Sequence, residues 1–305
     1  MRFVGRCLLC VGLLVGVVVL LTPVSVGAQQ DDMSDVQIET IHVAGGIYML
    51  VGRGGNIGLS VGDDGAFVVD DQFAPLTEKI EAAIARVTDK EVQFVVNTHW
   101  HGDHTGGNEH FGETGAIIVA QENVFKRLNP AEFADLIGRS QQAPPAALPV
   151  ITFGDGLNFH WNGEEIHVVH VEHAHTDGDA IIAFENANVV HMGDTFFNGN
   201  YPFIDVDSGG AIDGMIAAAE LVLRHVDSDT KIIPGHGALG GPAELREFRD
   251  MLISARDRIR TMVNDGLSED DIVARKPTSD LDAKWGGGFI DPERFVRLVV
   301  QGMTR

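Results

Sequence analysis

Hydrophobic and polar positions alternate along the chain with two different periods, which predicts strands and helices in a mixed order. Short apolar runs bounded by glycine and polar turns predict strands over 43–51, 56–61, 66–69, 92–97 and 116–120. Apolar residues at helical spacing predict a helix over 78–87, with Thr77 as its N-cap, and another over 121–128. The first half of the chain is therefore predicted to alternate strands with helices.

The second half has a similar pattern and adds a helical tail. The segment 141–149 (QQAPPAALP) is typical of a loop and separates the two halves. Strands are predicted over 166–171, 188–190 and 231–233, and helices over 212–223, 242–263, 269–274 and from Pro292 onward. This order predicts one layered α/β domain over 29–305 with a C-terminal helical extension.

The segment 99–104, His-Trp-His-Gly-Asp-His, contains four side chains that can bind a metal. It follows a predicted buried strand, which holds a short loop rigidly. His99 and His101 are two residues apart, so in an extended loop they can converge on one ion. Asp103 and His104 are adjacent, so they diverge from that pair and can reach a second ion. Imidazole nitrogens and carboxylate oxygens are ligands that zinc takes, so one loop can begin two zinc sites.

Three more residues of ligand type follow predicted strands. His175 lies in the motif His-Thr-Asp-Gly-Asp, Asp194 in Gly-Asp-Thr, and His236 in Pro-Gly-His-Gly. Loops at the same end of a sheet can gather at one edge, where open α/β sheets bind their ligands. Together with the segment 99–104, these motifs predict a centre for two metal ions.

These four motifs, in this order over about residues 40–240, resemble the metallo-β-lactamase superfamily of binuclear zinc hydrolases. The resemblance implies a four-layer αββα sandwich built from two similar halves. It also implies two zinc ions per chain with the following ligands: His99, His101 and His175 for the first ion, and Asp103, His104 and His236 for the second, with Asp194 bridging both.

A superfamily of this kind implies hydrolysis by a metal-bound hydroxide. Zinc lowers the pKa of its bound water from roughly 16 to about 7, so hydroxide is present at neutral pH. Asp103 is then the catalytic residue that binds the second ion and orients the nucleophile. The alternative from another class is a non-catalytic metal-binding protein. It is disfavoured because ligands shared by two ions leave room for a bound water.

The N-terminal segment 1–28 is typical of a secretory signal peptide. Two arginines precede the apolar run 7–21, and Val26-Gly27-Ala28 is a small-residue cleavage site. The apolar run is shorter than the roughly 20 residues of a membrane-spanning helix, although an uncleaved anchor is the alternative. We therefore expect a periplasmic or secreted protein that begins near Gln29 and has no stable membrane association after cleavage.

Charge and cysteine content exclude some partners and some metal ligands. The formal net charge of −22 argues against a nucleic-acid partner, because phosphate binding needs a basic face. The only cysteines, Cys7 and Cys10, lie in the predicted signal peptide, so the mature chain offers neither a disulfide nor a thiolate ligand. One group of zinc β-lactamases has a cysteine where this chain has Asp194. The aspartate here is more similar to the glyoxalase II and lactonase branches.

These features leave two hydrolytic functions on small-molecule substrates. Export favours opening of a cyclic amide, meaning β-lactamase activity and antibiotic resistance, because β-lactams act in the periplasm. Asp194 favours lactones, thioesters or other esters, although export weighs against a cytosolic glutathione thioester. We expect a β-lactam first and an ester as the alternative. Tyr201 in the loop 198–208, and the loop 284–289, are candidate walls of the substrate pocket.

Several residues beside the motifs have two interpretations. Asp70 ends a predicted strand and could hold a ligand histidine, as carboxylates often do, or could serve a turn. His173 precedes His175, and the His-Thr-Asp order of the superfamily favours His175 as the ligand. His191 is expected to be a hydrogen-bonded histidine of the core rather than a ligand.

Overall fold

A computed structural model describes residues 33–129 and 143–304, and the predicted signal peptide lies outside them. The first of two sheets has seven strands in the order of the chain: β1 (Glu39–Ala44), β2 (Ile47–Val51), β3 (Ile57–Ser60), β4 (Ala66–Val69), β5 (Val92–Val96), β6 (Ile117–Gln121) and β7 (Ile151–Phe153). Neighbouring strands are antiparallel from β1 to β4 and parallel from β4 to β7.

The second sheet has five strands: β8 (Gly156–Trp161), β9 (Glu164–His170), β10 (Ala180–Phe184), β11 (Val189–His191) and β12 (Lys231–Ile233). Their order across the sheet is β12-β11-β10-β9-β8. Only β11 and β12 pair in parallel within this sheet. Because β9 and β11 both run antiparallel to β10, the strands β9, β11 and β12 all point the same way.

The α-helices of the described residues are α1 (Thr77–Ile84), α2 (Gly102–Thr105), α3 (Asn108–Glu113), α4 (Glu122–Leu128), α5 (Ile212–His225), α6 (Pro242–Asn264), α7 (Glu269–Ala274), α8 (Asp282–Trp285) and α9 (Pro292–Thr304). In this part of the chain, none of them combines the length and the apolar composition needed to span a membrane.

The two sheets pack face to face and carry helices on their outer faces. Their inner faces share one apolar cluster, to which β4 contributes Phe67 and Val69 and β10 contributes Ile182. The helix α1 covers the outer face of the first sheet with Ile80 and Ile84. The helices α5, α6 and α9 cover the outer face of the second sheet. This arrangement is the predicted four-layer αββα sandwich, and the α/β fold class is confirmed.

Two local predictions are wrong. The single strand predicted over 43–51 is a hairpin, because the chain turns at Gly45, whose φ of 54° suits glycine, between β1 and β2. Thr77 is not the N-cap of α1. It is the first residue of the helix, and its hydroxyl donates to the carbonyl of Ala74 in the preceding 3-10 turn.

Candidate metal centre

The candidate ligands all lie in loops at the carboxyl ends of strands. The segment 99–104 follows β5, His175 follows β9, Asp194 follows β11 and His236 follows β12. Since β9, β11 and β12 point the same way, three of these loops leave the second sheet at one edge. The backbone N–H of Ala180 in β10 donates to the carbonyl of Thr98 at 2.8 Å, which joins this edge to the loop after β5. The topology therefore gathers all four loops.

Three imidazole nitrogens converge in a first cluster formed by His99, His101 and His175. The Nδ1 atom of His101 lies 3.1 Å from Nε2 of His99 and 2.9 Å from Nε2 of His175. Ligand atoms about 2.0 Å from a tetrahedral zinc ion are about 3.3 Å apart. The three nitrogens therefore have nearly the spacing of ligands on one ion.

The outer ring nitrogens of this cluster are held by other residues. Nε2 of His101 donates to the carboxylate of Asp205 at 2.9 Å, and Nδ1 of His175 donates to the carbonyl of Phe203 at 2.8 Å. These acceptors keep the proton on the outer nitrogen of each ring. The inner nitrogen of each ring is therefore available to a metal ion.

Asp103, His104 and His236 form a second cluster. Oδ2 of Asp103 lies 3.7 Å from Nε2 of His104 and 3.4 Å from Nε2 of His236. Nδ1 of His104 donates to Asp70 at 2.7 Å, so Nε2 faces the cluster. Asp70 also accepts from the backbone N–H and the hydroxyl of Thr98, which fixes its carboxylate. Of the two interpretations of Asp70, the structure supports the one in which it holds a histidine.

Asp194 lies between the two clusters. Its Oδ1 atom is 3.1 Å from Nε2 of His104 and 3.4 Å from Nε2 of His236. Its Oδ2 atom is 3.5 Å from Nε2 of His175 and 4.0 Å from Nε2 of His99. Each carboxylate oxygen thus faces a different cluster, which is the geometry of a bridging ligand.

Two buried atoms at the centre test whether metal ions fit. Nε2 of His104 and Oδ1 of Asp194 have no hydrogen-bond partner among the described residues, although they are only 3.1 Å apart. Buried polar atoms without a partner cost about 1–3 kcal/mol each. A cation bound by both atoms would remove this cost, and nitrogen and carboxylate oxygen are the donors that zinc prefers. The residues present fit the metal centre that their motifs imply.

Burial and charge set the protonation of the two clusters differently. Burial lowers the pKa of His175 to about 4, against the opposing charge of Asp194. Burial would also lower the pKa of His236, but the carboxylates of Asp194 and Asp103 raise it to about 9. The pKa of His104 is likewise raised by carboxylates against the effect of burial. In the metal-free chain at neutral pH, His175 is ready to bind a metal, whereas His236 carries a proton that a metal must displace.

Two histidines that precede the motifs, His173 and His191, lie outside the clusters. Nδ1 of His173 lies 3.0 Å from the carbonyl oxygen of Gly209. Nε2 of His191 lies 3.0 Å from the carbonyl oxygen of Asn56, and its Nδ1 accepts from the N–H of Gly193. His173 therefore bonds to a loop, and His191 is a buried histidine bonded to the backbone.

The prediction that Tyr201 lines the substrate pocket is wrong. Its side chain is buried, its hydroxyl donates to Asp282 at 2.9 Å, and its ring stacks on Phe295. It therefore anchors its loop to the C-terminal extension. Phe203, two residues further along this loop, is an aromatic residue that lies near the centre, with its ring 5.8 Å from that of His101.

Asp205 and Phe197 contact candidate ligands, and sequence reasoning missed both residues. Asp205 bonds to a ligand histidine that precedes it by 104 residues, so no local spacing relates the two. The ring of Phe197 stacks on His236 with centroids 5.2 Å apart. The only signal in the sequence was that both residues follow Asp194 within one loop.

A sequence model of the metallo-beta-lactamase superfamily matches residues 50–236, which is more than half of the chain. The chain belongs to this superfamily of metal-dependent hydrolases, and the resemblance inferred from its motifs is confirmed.

Individual relatives are more distant. A hydroxyacylglutathione hydrolase from Polaromonas sp. is 28% identical over 165 residues, which cover 53% of this chain and 55% of that protein. A metallo-beta-lactamase from Pontibacter korlensis has a TM-score of 0.59 at 18% identity and covers 71% of this chain and 99% of its own. The sec-alkyl sulfatase PisA1, as a double mutant, has a TM-score of 0.66 at 18% identity and covers 88% of this chain and 50% of its own. The likeness to these two structures shows a shared fold.

Proposed function

We propose that the chain is an exported hydrolase that uses two zinc ions to cleave an acyl bond of a small molecule. The observation that carries this proposal is the pair of ligand clusters that share Asp194. The first cluster would hold one ion and the second cluster the other, with Asp194 contacting both. When bound, two zinc ions supply an activated water and polarise the carbonyl that is attacked.

Asp103 is the residue that we assign to orienting the attacking water. Burial would raise the pKa of Asp103, but the charge of His104 and the contact with His236 lower it below its usual value. The carboxylate is therefore ionised at neutral pH and can accept a hydrogen bond from water. Its side chain is 25% exposed, so water and substrate can reach it.

Among acyl bonds, the shared carboxylate favours an ester, lactone or thioester. Asp194 distributes one negative charge over both clusters, which weakens the positive charge that either cluster can present to a leaving group. An alkoxide and a thiolate are weaker bases than an amine anion, so each leaves with less help; the thiolate needs least, because a thiol has a pKa of about 8.5. The hydroxyacylglutathione hydrolase among the relatives is consistent with this order.

A β-lactam is the first expectation from the export signal, and the shared carboxylate makes it the second candidate. The N-terminal segment supports it, because an exported hydrolase would meet β-lactams in the periplasm. We expect the opening of a β-lactam to be measurable but slow, for the same reason that an amine anion is the poorer leaving group.

The substrate ranking can be tested with one side-by-side assay. Zinc-loaded protein is given an acyl lactone, a thioester and a carbapenem, with and without a chelator. We expect turnover of the lactone or thioester to exceed that of the carbapenem, and the chelator to abolish all of it. Faster opening of the carbapenem would reverse the ranking, and activity that survives metal removal would exclude the metal centre.

Export can be tested separately. If segment 1–28 is cleaved as a signal peptide, N-terminal sequencing of protein from a bacterial periplasm will show a chain that begins near Gln29. A chain that still begins with Met1 would instead support an uncleaved membrane anchor.

A further inference from the structure

The C-terminal extension brings an arginine and an exposed phenylalanine towards the metal centre. Phe289 is 80% exposed, more than any other large apolar side chain of the described residues. The guanidinium carbon of Arg294 lies 4.9 Å from the centre of the Phe289 ring and 5.6 Å from the centre of the Phe203 ring. One cation therefore contacts two aromatic rings from different parts of the chain.

This group adjoins the first cluster through Phe203. The Phe203 ring centre is 5.8 Å from that of His101 and 5.7 Å from that of His175. The carbonyl of Phe203 also accepts the hydrogen bond from His175. A single aromatic ring therefore separates Arg294 from the candidate zinc ligands. A small-molecule substrate is long enough to span this separation.

Arg294 differs from its neighbour Arg297 in its ion pairs, although the chain has twice as many acidic residues (44) as basic ones (22). One helical turn away, Arg297 forms ion pairs with Glu269, Asp270 and Glu293. Among the described residues, no carboxylate forms an ion pair with Arg294. Asp291, close to it in sequence, accepts from the backbone N–H of Arg294.

Contact with aromatic faces holds a guanidinium without using its N–H groups. These N–H groups form a planar fork that matches a carboxylate. An exposed aromatic side chain beside such a fork can cover the apolar part of the same ligand. The three side chains together have the features of a subsite for an anion attached to an apolar group.

We propose that Arg294, Phe289 and Phe203 form a substrate subsite that binds a carboxylate attached to an apolar or aromatic group. The proposal rests on the proposed function, because it places the bond to be cleaved at the metal centre next to this subsite. The substrate class is then an ester, lactone or cyclic amide that also carries a free carboxylate. Arg294 is a binding residue that determines specificity, and it takes no part in bond cleavage.

A binding experiment tests the subsite without any turnover. Zinc-loaded protein is titrated by ligand-observed NMR with phenylacetate and with phenylacetamide, which differ in charge and have no ester to cleave. We expect phenylacetate to bind about tenfold more tightly, as a charge-assisted hydrogen bond predicts. Arg294→Ala is expected to abolish this preference, and Arg294→Lys to retain part of it because the charge remains without the fork.

Arg224→Ala is the matched control, because Arg224 is an exposed arginine at the end of α5. It is expected to keep the preference of the unaltered protein. Phe289→Ala is expected to weaken the binding of both probes, since both contain a phenyl ring. Equal binding of the two probes by the unaltered protein would overturn the proposal.

A preference that survives in Arg294→Ala would also overturn it, because the carboxylate would then be bound elsewhere, for example by the metal. Neither result depends on catalysis. A protein that binds phenylacetate through Arg294 but hydrolyses nothing would contradict the proposed function and would leave the subsite standing. Hydrolysis of esters in which Arg294 has no role would support the proposed function and would contradict the subsite.

Discussion

Neighbouring residues of the 99–104 loop face different metal clusters because the backbone changes conformation between them. His101 is extended, with φ −65° and ψ 147°, and α2 begins at the next residue. The extended backbone directs His101 to the first cluster. The helical turn then carries Asp103 and His104 to the second cluster. A single short segment can therefore supply ligands to both.

Asp103 allows metal binding and catalysis to be separated. We expect Asp103→Asn to retain most of its zinc, because the remaining ligands of the second cluster persist. Its kcat should fall about a hundredfold or more, because a neutral amide cannot orient water as a carboxylate does. Metal analysis and steady-state kinetics on the same sample measure both effects. If zinc and activity are lost in the same proportion, Asp103 acts only as a metal ligand and does not orient the water.

His175 and His173 provide a matched pair of histidine variants. His175→Ala should lose about one zinc ion per chain, because it removes one of the three nitrogens of the first cluster. His173→Asn should keep its zinc and most of its activity. Asparagine is the suitable replacement, because His173 has a φ of 51° and asparagine tolerates this left-handed conformation. Equal loss of metal in both variants would show that the choice of ligand is wrong.

At the scale of elements, the loop between β11 and α5 holds the first cluster in place. It provides the Phe203 carbonyl for His175 and the Asp205 carboxylate for His101. Burial would raise the pKa of Asp205, but the hydrogen bonds that it accepts from His101 and Ser208 lower this pKa to about 2. Asp205 is therefore ionised at working pH, and it acts as a positioning residue for His101.

Asp205→Asn tests this role. We expect zinc affinity to fall about 10–100-fold, as replacement of such supporting carboxylates generally causes. Competition with a chromophoric chelator measures the affinity of each site. Asp89→Asn, which changes an exposed carboxylate in the turn before β5, is the control and should leave both affinities unchanged. Unchanged zinc affinity in Asp205→Asn would show that the hydrogen bond to His101 does not support the metal.

Elements with a strong local signal were predictable from the sequence, and those that depend on distant contacts were not. The strand β4 and the helix α7 have their predicted bounds, because each has an apolar core and clear flanking residues, including Ser268 as the N-cap of α7. Tyr201 is an aromatic residue in a predicted loop, and in the sequence such a residue looks the same whether it lines a pocket or packs into the core. Its burial against Phe295 depends on the docking of α9, which no local pattern encodes.

The same distinction holds for the metal centre. Its ligands lie in compact motifs that each combine a strand, a glycine and a histidine or aspartate, so they were recognisable in the sequence. Asp205 and Phe203 contact these ligands through tertiary packing alone. The Arg294 group likewise exists only because the C-terminal extension folds back towards the loop after β11.

At the scale of the whole molecule, the protonation of the second cluster couples zinc binding to pH. The pKa of His236 is about 9 in the metal-free chain, so zinc must displace its proton at pH 7.5. We expect calorimetric titrations in buffers of different ionisation enthalpy to show proton release at pH 7.5. This release should decrease as the pH rises through about 9, because His236 is then already neutral. Proton release that is absent at pH 7.5 would contradict the assigned protonation.

The layered fold explains why two clusters of candidate ligands meet at one site. The first sheet supplies the 99–104 loop, and the second sheet supplies His175, Asp194 and His236 from strands that point the same way. Each sheet alone would present an incomplete set of ligands. The centre therefore depends on the packing of the two sheets.

The most direct measurement of this two-ion centre is anomalous diffraction at the zinc edge from crystals of the zinc-loaded protein. We predict two peaks about 3.5–4 Å apart, as in other two-metal hydrolytic sites. One peak should lie among the nitrogens of His99, His101 and His175 and the other among Asp103, His104 and His236, each about 2.0–2.2 Å from an oxygen of Asp194. A single peak, or two peaks that do not share Asp194, would contradict the bridged two-ion centre.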